Sequence, residues 1–116
     1  MTINIETNTL TVLVEYRSAN NWKDEERTFD IAEIEAFGSE NRIRRRKDGD
    51  IKGFRKVGWI KVAGETHRID YDYIKVLKEF FKGRYETKKD TIIEHKRMRW
   101  GTAERKATDW TYTIKK

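Results

Sequence analysis

The spacing of hydrophobic residues predicts β-strands in several parts of the chain. Between Thr9 and Arg17, apolar side chains occupy every second position and share one face: Leu10, Val12, Val14 and Tyr16. This period of two is typical of a strand with one buried face. Residues 108–115 repeat the pattern, because Trp110, Tyr112 and Ile114 alternate with threonines. Both segments are therefore predicted to be half-buried strands.

Weaker patterns predict four more strands, at residues 3–5, 57–63, 66–69 and 91–100. We expect residues 91–100 to pair with the last strand through a loop at 101–107. Residues 22–26 are acidic and show no apolar alternation, so we predict a loop there.

A change of period predicts the main helix at about residues 71–82. Its apolar residues recur at helical spacing and form one stripe: Tyr73, Ile74, Leu77, Phe80 and Phe81. Asp70 is placed to cap the first turn, and Gly83 is placed to end the helix in a left-handed conformation. We expect the stripe to belong to the core.

A second, short helix is predicted near residues 31–37. Asp30 precedes it as a capping residue, Glu33 occupies the capping-box position, and Phe29 can pack on Ile34 as a hydrophobic staple. An alternative interpretation makes residues 34–37 a strand.

These elements predict an α+β fold with a mostly antiparallel sheet of five to seven strands. The chain has 116 residues, which are enough for one domain, 1–116, with its own hydrophobic core. An aromatic content of 12% supports a packed core, because each aromatic side chain buries a large apolar area.

Charge is concentrated in one segment. Arg42 to Lys56 holds eight basic and two acidic residues, a net charge of +6 that equals the excess of the whole chain. Asp48-Gly49 at its centre favours a tight turn between strands, so we predict a basic β-hairpin at about 42–56. A second basic segment, Lys88 to Lys106, carries a net +4, whereas residues 1–41 carry a net −6.

Arginine and lysine in this density are typical of proteins that bind the phosphate backbone. The residues predicted to contact nucleic acid or another partner are Arg42, Arg44, Arg45, Arg46, Lys47, Lys52, Arg55, Lys56, Lys96, Arg97 and Arg99. Aromatic residues in or beside the basic segments could stack on bases: Phe54, Trp59 and Trp100. The sequence therefore predicts a small nucleic-acid-binding module, for DNA or RNA, with little sequence specificity.

Two alternatives remain open at this stage. The chain could bind a protein with an acidic or nucleic-acid-binding surface, for example as an inhibitor encoded by a mobile element that acts on a nucleic-acid-processing complex. It could also be a metal-free ribonuclease that uses His95 with Glu94, Lys96, Arg97 and Arg99, or His67 with Glu65. Neighbours in a strand such as Glu94 and His95 face opposite ways, so that set needs help from elsewhere in the chain, and an enzyme is the less favoured interpretation.

Other classes receive little support from the sequence. The chain has no cysteine and only two histidines, so we expect no metal site and no cofactor. No apolar run approaches the length of about 20 residues needed to cross a membrane, and no secretory signal begins the chain. We therefore expect no membrane partner and a cytoplasmic location.

Overall fold

The computed structural model describes the backbone of residues 1–19, 21–45, 47, 51–98 and 101–115, and the side chains of all these residues except 18, 43–45, 51, 52, 94–98, 102, 103 and 105. Eight strands and one α-helix make up this part of the chain. The strands are β1 (Thr2–Asn4), β2 (Thr9–Ser18), β3 (Asn21–Asp30), β4 (Ile34–Arg45), β5 (Ile51–Val62), β6 (Glu65–Ile69), β7 (Tyr85–Met98) and β8 (Gly101–Ile114). The helix is α1 (Asp72–Phe80).

All strands join one antiparallel sheet in the order β1-β2-β6-β5-β4-β8-β7, with β3 paired to β2. The prediction of a mostly antiparallel sheet with one main helix is confirmed. The predicted count of five to seven strands is too low. β3 was missed because its side chains are nearly all exposed, so it has no apolar alternation to show. The predicted loop at 22–26 is therefore wrong.

The short helix predicted near 31–37 is also wrong in most of its length. A single turn of 3-10 helix covers Ile31–Glu33, and from Ile34 the chain is strand. The alternative interpretation of residues 34–37 is thus confirmed. Local capping signals favour a first turn, but pairing of β4 with both β5 and β8 provides more backbone hydrogen bonds than a short helix could.

The core lies between the sheet and α1. Leu10, Val12 and Val14 of β2 are buried, which confirms the predicted face. From the helix, Ile74 and Leu77 are buried against this side of the sheet. Full burial of a leucine side chain contributes about 2 kcal/mol, so this stripe fixes the helix to the sheet.

The predicted end signals lie beside α1, but the helix begins and ends inside its predicted bounds of about 71–82. The Asp70 carboxylate accepts a hydrogen bond from the backbone N–H of Asp72, at 2.8 Å. After the helix, Gly83 has φ +80°, the left-handed conformation that glycine adopts without steric cost. The helix then leads the chain from β6 across the sheet to the edge strand β7.

Candidate functional site

Two long hairpins extend past the rest of the sheet. Pairing between β5 and β6 stops at Gly58 and Ile69, and pairing between β4 and β8 stops at Ser39 and Trp110. Beyond these points, within the described residues, β4 pairs only with β5, and β7 only with β8. We call residues 40–45 with 51–57 the first arm, and residues 90–98 with 101–109 the second arm.

Both arms point in the same direction. β4 and β8 are antiparallel, so the carboxyl end of β4 lies at the same end of the sheet as the amino end of β8. The first hairpin turns after the carboxyl end of β4, and the second turns before the amino end of β8. The two basic segments of the sequence are therefore neighbours in the fold, and a contact between Asn41 and Asp109, 68 positions apart in the chain, lies at their base.

A buried contact marks the point where the arms separate. Asn41 is only 8% exposed. Its backbone N–H and its side-chain amide donate to the same oxygen of Asp109, at 2.7 and 2.9 Å. The same amide donates to the backbone carbonyl of Thr108 at 2.7 Å. Side-chain hydrogen bonds thus replace the strand pairing that ends two residues earlier, and we call this contact the fork.

The described cations of the first arm are exposed, and two of them face each other. Arg42 lies directly opposite Arg55 in the register of β4 and β5. Arg42 also forms an ion pair with Glu40 at 3.0 Å, while Lys56 lies 5.4 Å from the centre of the Tyr71 ring. Like charges directly opposite each other on paired strands are destabilising. The arm therefore keeps a cationic surface that its own stability does not favour.

The structure describes the other residues predicted for the first hairpin to different extents. Lys47 is exposed. Arg44, Arg45 and Lys52 belong to the strands of the arm, but their side chains lie outside the described part of the chain. Arg46 lies outside the described residues altogether, as does the predicted Asp48-Gly49 turn.

The second arm carries fewer described cations. Lys106 is exposed and pairs in register with the half-exposed Ile93, and Lys88 and Lys89 are exposed just before the arm begins. Residues 91–98 form a strand as predicted, but the strand begins at Tyr85 and the predicted loop at 101–107 is strand as well. The side chains of Lys96 and Arg97, and all of Arg99 and Trp100, lie outside the described part.

Trp59, predicted as a stacking residue, packs within its own sheet. A Cβ atom on Gly38 would come within 2.8 Å of the Trp59 indole and would overlap the backbone carbonyl of Trp110. Because Gly38 has no side chain, the indole of Trp59 packs directly against the backbone there, on the face of the sheet opposite the helix. Trp59 and Phe54 are both only partly exposed. A stacking role for either ring stays a prediction.

A cleft on the helix side of the sheet was not anticipated from the sequence. It has a volume of about 690 Å³ and lies between α1 and the strands β4, β7 and β8. Its lining includes Trp110 and Tyr112 from β8 and Tyr71, Lys75 and Lys78 from the helix region. Positions 71, 75 and 78 are spaced by four and three residues, so they share one side of the helix. This helical spacing is the one feature of the sequence that could have indicated the cleft.

Comparison with protein-family models, with curated proteins and with solved structures finds no match for this chain.

The groups considered for catalysis or metal binding are only partly described. His67 lies 3.7 Å from Glu65 and packs against Phe29, with ring centres 5.0 Å apart. The His95 set lies outside the described side chains, so the ribonuclease hypothesis stays a prediction. Within the described residues, no group of three or more histidine, cysteine, aspartate or glutamate side chains could hold a metal ion. No helix in that same part of the chain is long and apolar enough to span a membrane.

Proposed function

We propose that this protein binds the backbone of nucleic acid with the basic segments of its two arms and does so with little sequence specificity. The observation that carries the proposal is the shared direction of the arms. A ligand lying along one arm is also within reach of the other, because both begin at the fork between Asn41 and Asp109.

The charge balance supports the proposal. The basic segments Arg42 to Lys56 and Lys88 to Lys106, which overlap the arms, carry net charges of +6 and +4, whereas the chain as a whole carries +6. The residues outside these two segments therefore carry a net −4, so a polyanion is attracted to the segments and repelled elsewhere. Arginine adds bidentate contacts to phosphate, which suits binding without reference to base identity.

The length of the arms also suits a polyanion. A strand rises about 3.4 Å per residue, so the first arm extends for roughly 20 Å and the second for roughly 30 Å. The long axis of the molecule measures 59 Å, compared with 21 Å for the shortest. An extended ligand can therefore contact several cations in succession.

The experiment that tests the proposal compares two variants that remove the same number of positive charges. Arg42→Gln with Arg55→Gln alters the first arm, and Arg17→Gln with Lys23→Gln alters exposed residues at the far edge of the sheet. Binding of labelled single-stranded and duplex DNA and RNA is measured by fluorescence anisotropy over a series of salt concentrations.

The wild-type protein should lose on the order of a thousandfold in affinity between about 50 and 200 mM salt, as expected when six or more phosphates are neutralised. The arm variant should bind roughly tenfold more weakly or worse, and its slope of log affinity against log salt should fall by about 1.4 to 1.8. The control variant should match the wild type. Equal behaviour of the two variants, or salt-independent binding, would contradict the proposal.

A second candidate function is binding to a protein partner, as an inhibitor of a nucleic-acid-processing complex. It is favoured by the far edge of the sheet, where β3 is exposed along nearly its whole length. Trp22 on this strand is 55% exposed and lies under the guanidinium of Arg68, at 4.5 Å. Tryptophan and arginine are frequent anchors of protein interfaces. Partners that are captured after nuclease treatment, and lost with Trp22→Ala, would support this candidate over the first.

A further inference from the structure

The cleft beside α1 combines aromatic rings with lysines, the two kinds of side chain that recognise an unstacked base and its phosphates. Trp110 and Tyr112 have parallel rings, with 2° between their planes and 6.4 Å between their centres, and both line the cleft. Tyr112 in turn stacks on the buried Phe37, at 5.2 Å, so these rings are held on a rigid support. Trp110 remains 36% exposed, which leaves part of the indole open for contact.

Cations stand on the helix side of the same cleft. Lys75 and Lys78 are exposed and line it, and Lys78 lies 5.0 Å from the centre of the Tyr112 ring. Asp72 is the one carboxylate among the lining residues that the structure describes. Aromatic rings beside lysines form a stacking surface with neighbouring phosphate contacts, as in proteins that bind single strands.

The cleft is continuous with the arms. Trp110 follows Asp109 of the fork directly in sequence, and Lys89 lies opposite Trp110 in the register of β7 and β8. On the other side, Lys56 of the first arm lies over the ring of Tyr71, which lines the cleft. A chain of phosphates that follows the arms toward the sheet therefore meets further cations at the mouth of the cleft.

We propose that this cleft binds an unpaired base of single-stranded nucleic acid, by stacking on Trp110 while Lys75 and Lys78 contact the adjoining phosphates. This inference rests on the proposed function, and it names the class of nucleic acid that the protein prefers. Bases of a duplex are stacked on each other and cannot enter the cleft. Its volume of about 690 Å³ lies within the range of small-ligand sites.

Two variants test the cleft independently of the arms. Trp110→Leu removes the stacking ring and keeps an apolar residue in the strand, and its control is Trp22→Leu, an exposed tryptophan at the other edge of the sheet. Lys75→Gln with Lys78→Gln changes only exposed helix positions, so this second variant keeps the test valid if the first one unfolds. Each variant is titrated with short labelled oligomers of thymidine and of uridine, and with a blunt DNA duplex.

The wild type should bind the single strands more tightly than the duplex. Trp110→Leu should weaken single-strand binding by roughly five- to a hundredfold, the range measured for the loss of one stacked base, and leave duplex binding unchanged. The lysine variant should lower the salt slope for single strands by about 1.4. A difference between the thymidine and uridine oligomers identifies DNA or RNA as the preferred form.

Equal effects of these variants on single strands and duplex, or no effect, would overturn the inference. The arm variant separates that outcome from failure of the proposed function. If only the Arg42 and Arg55 substitutions weaken binding, the arms bind nucleic acid and the cleft does not. If the wild-type protein binds none of the oligomers, both proposals fall.

Discussion

One oxygen of the Asp109 carboxylate accepts hydrogen bonds from both the backbone and the side chain of Asn41. These residues are buried or partly buried at the point where two hairpins separate, and they are 68 positions apart in the chain. The contact satisfies a backbone N–H that the sheet no longer pairs, because β4 and β8 stop pairing at Ser39 and Trp110. It therefore fixes the base from which both arms extend.

Asp109→Ala should lower the free energy of unfolding by about 1 to 3 kcal/mol, because it leaves two donors of Asn41 without an acceptor. Asp109→Asn is the matched control, since it keeps a side-chain oxygen at this position. It also removes one of two carboxylates that face each other in register, Asp90 and Asp109, so its stability should stay close to that of the wild type. Urea denaturation of the three proteins measures the difference. Equal loss in both variants would mean that the fork depends on the charge and not on the acceptor.

Gly38→Ala should be strongly destabilising. The added Cβ would meet the Trp59 indole at 2.8 Å as well as the carbonyl oxygen of Trp110. Overpacking of this kind typically lowers the free energy of unfolding by about 1 to 3 kcal/mol. Because the added Cβ makes two such contacts, we expect Gly38→Ala to lie at the upper end of this range. Thermal denaturation should show a lower midpoint. In a Trp59→Leu background, the same glycine substitution should cost less, because only the backbone contact remains. A wild-type midpoint for Gly38→Ala would show that Trp59 does not rest on Gly38.

Arg55→Glu should separate stability from binding. The substitution replaces a repulsive pair with Arg42 by an attractive one across β4 and β5. We expect a gain of about 0.2 to 1 kcal/mol in the free energy of unfolding and, at the same time, weaker binding of nucleic acid. Arg55→Gln should lie between the wild type and Arg55→Glu in both respects. Urea denaturation and anisotropy titration on the same samples provide the two measurements. Loss of stability together with loss of affinity would contradict a functional reason for the paired arginines.

Elements with strong local patterns could be predicted from the sequence, and elements set by distant pairing could not. The alternation at Leu10, Val12 and Val14 reports directly on a buried face, and the stripe containing Ile74 and Leu77 does the same for α1. β3 has no such face, so no periodic signal exists for it. At residues 34–37, capping signals favoured a helix that pairing with two neighbouring strands overrides.

Of the candidate site, only the positive charge could be predicted from the sequence. The basic segments are evident from composition, but their shared direction follows from the pairing of Phe37 with Tyr112, which no local pattern encodes. Trp110 was assigned correctly to a strand, yet its place beside Lys75 and Lys78 depends on where α1 crosses the sheet. The register of pairing between strands that are distant in the chain is thus what could not be predicted from the sequence.

The fork also has a mechanical consequence. In the part of the chain that the structure describes, the arms share no strand pairing beyond Ser39 and Trp110, so a small change of twist at that level is magnified along their length. For an arm that extends roughly 30 Å, a rotation of about 10° at its base displaces its far end by about 5 Å. The separation of the two arms is therefore more sensitive to the twist of the sheet than any distance within the core.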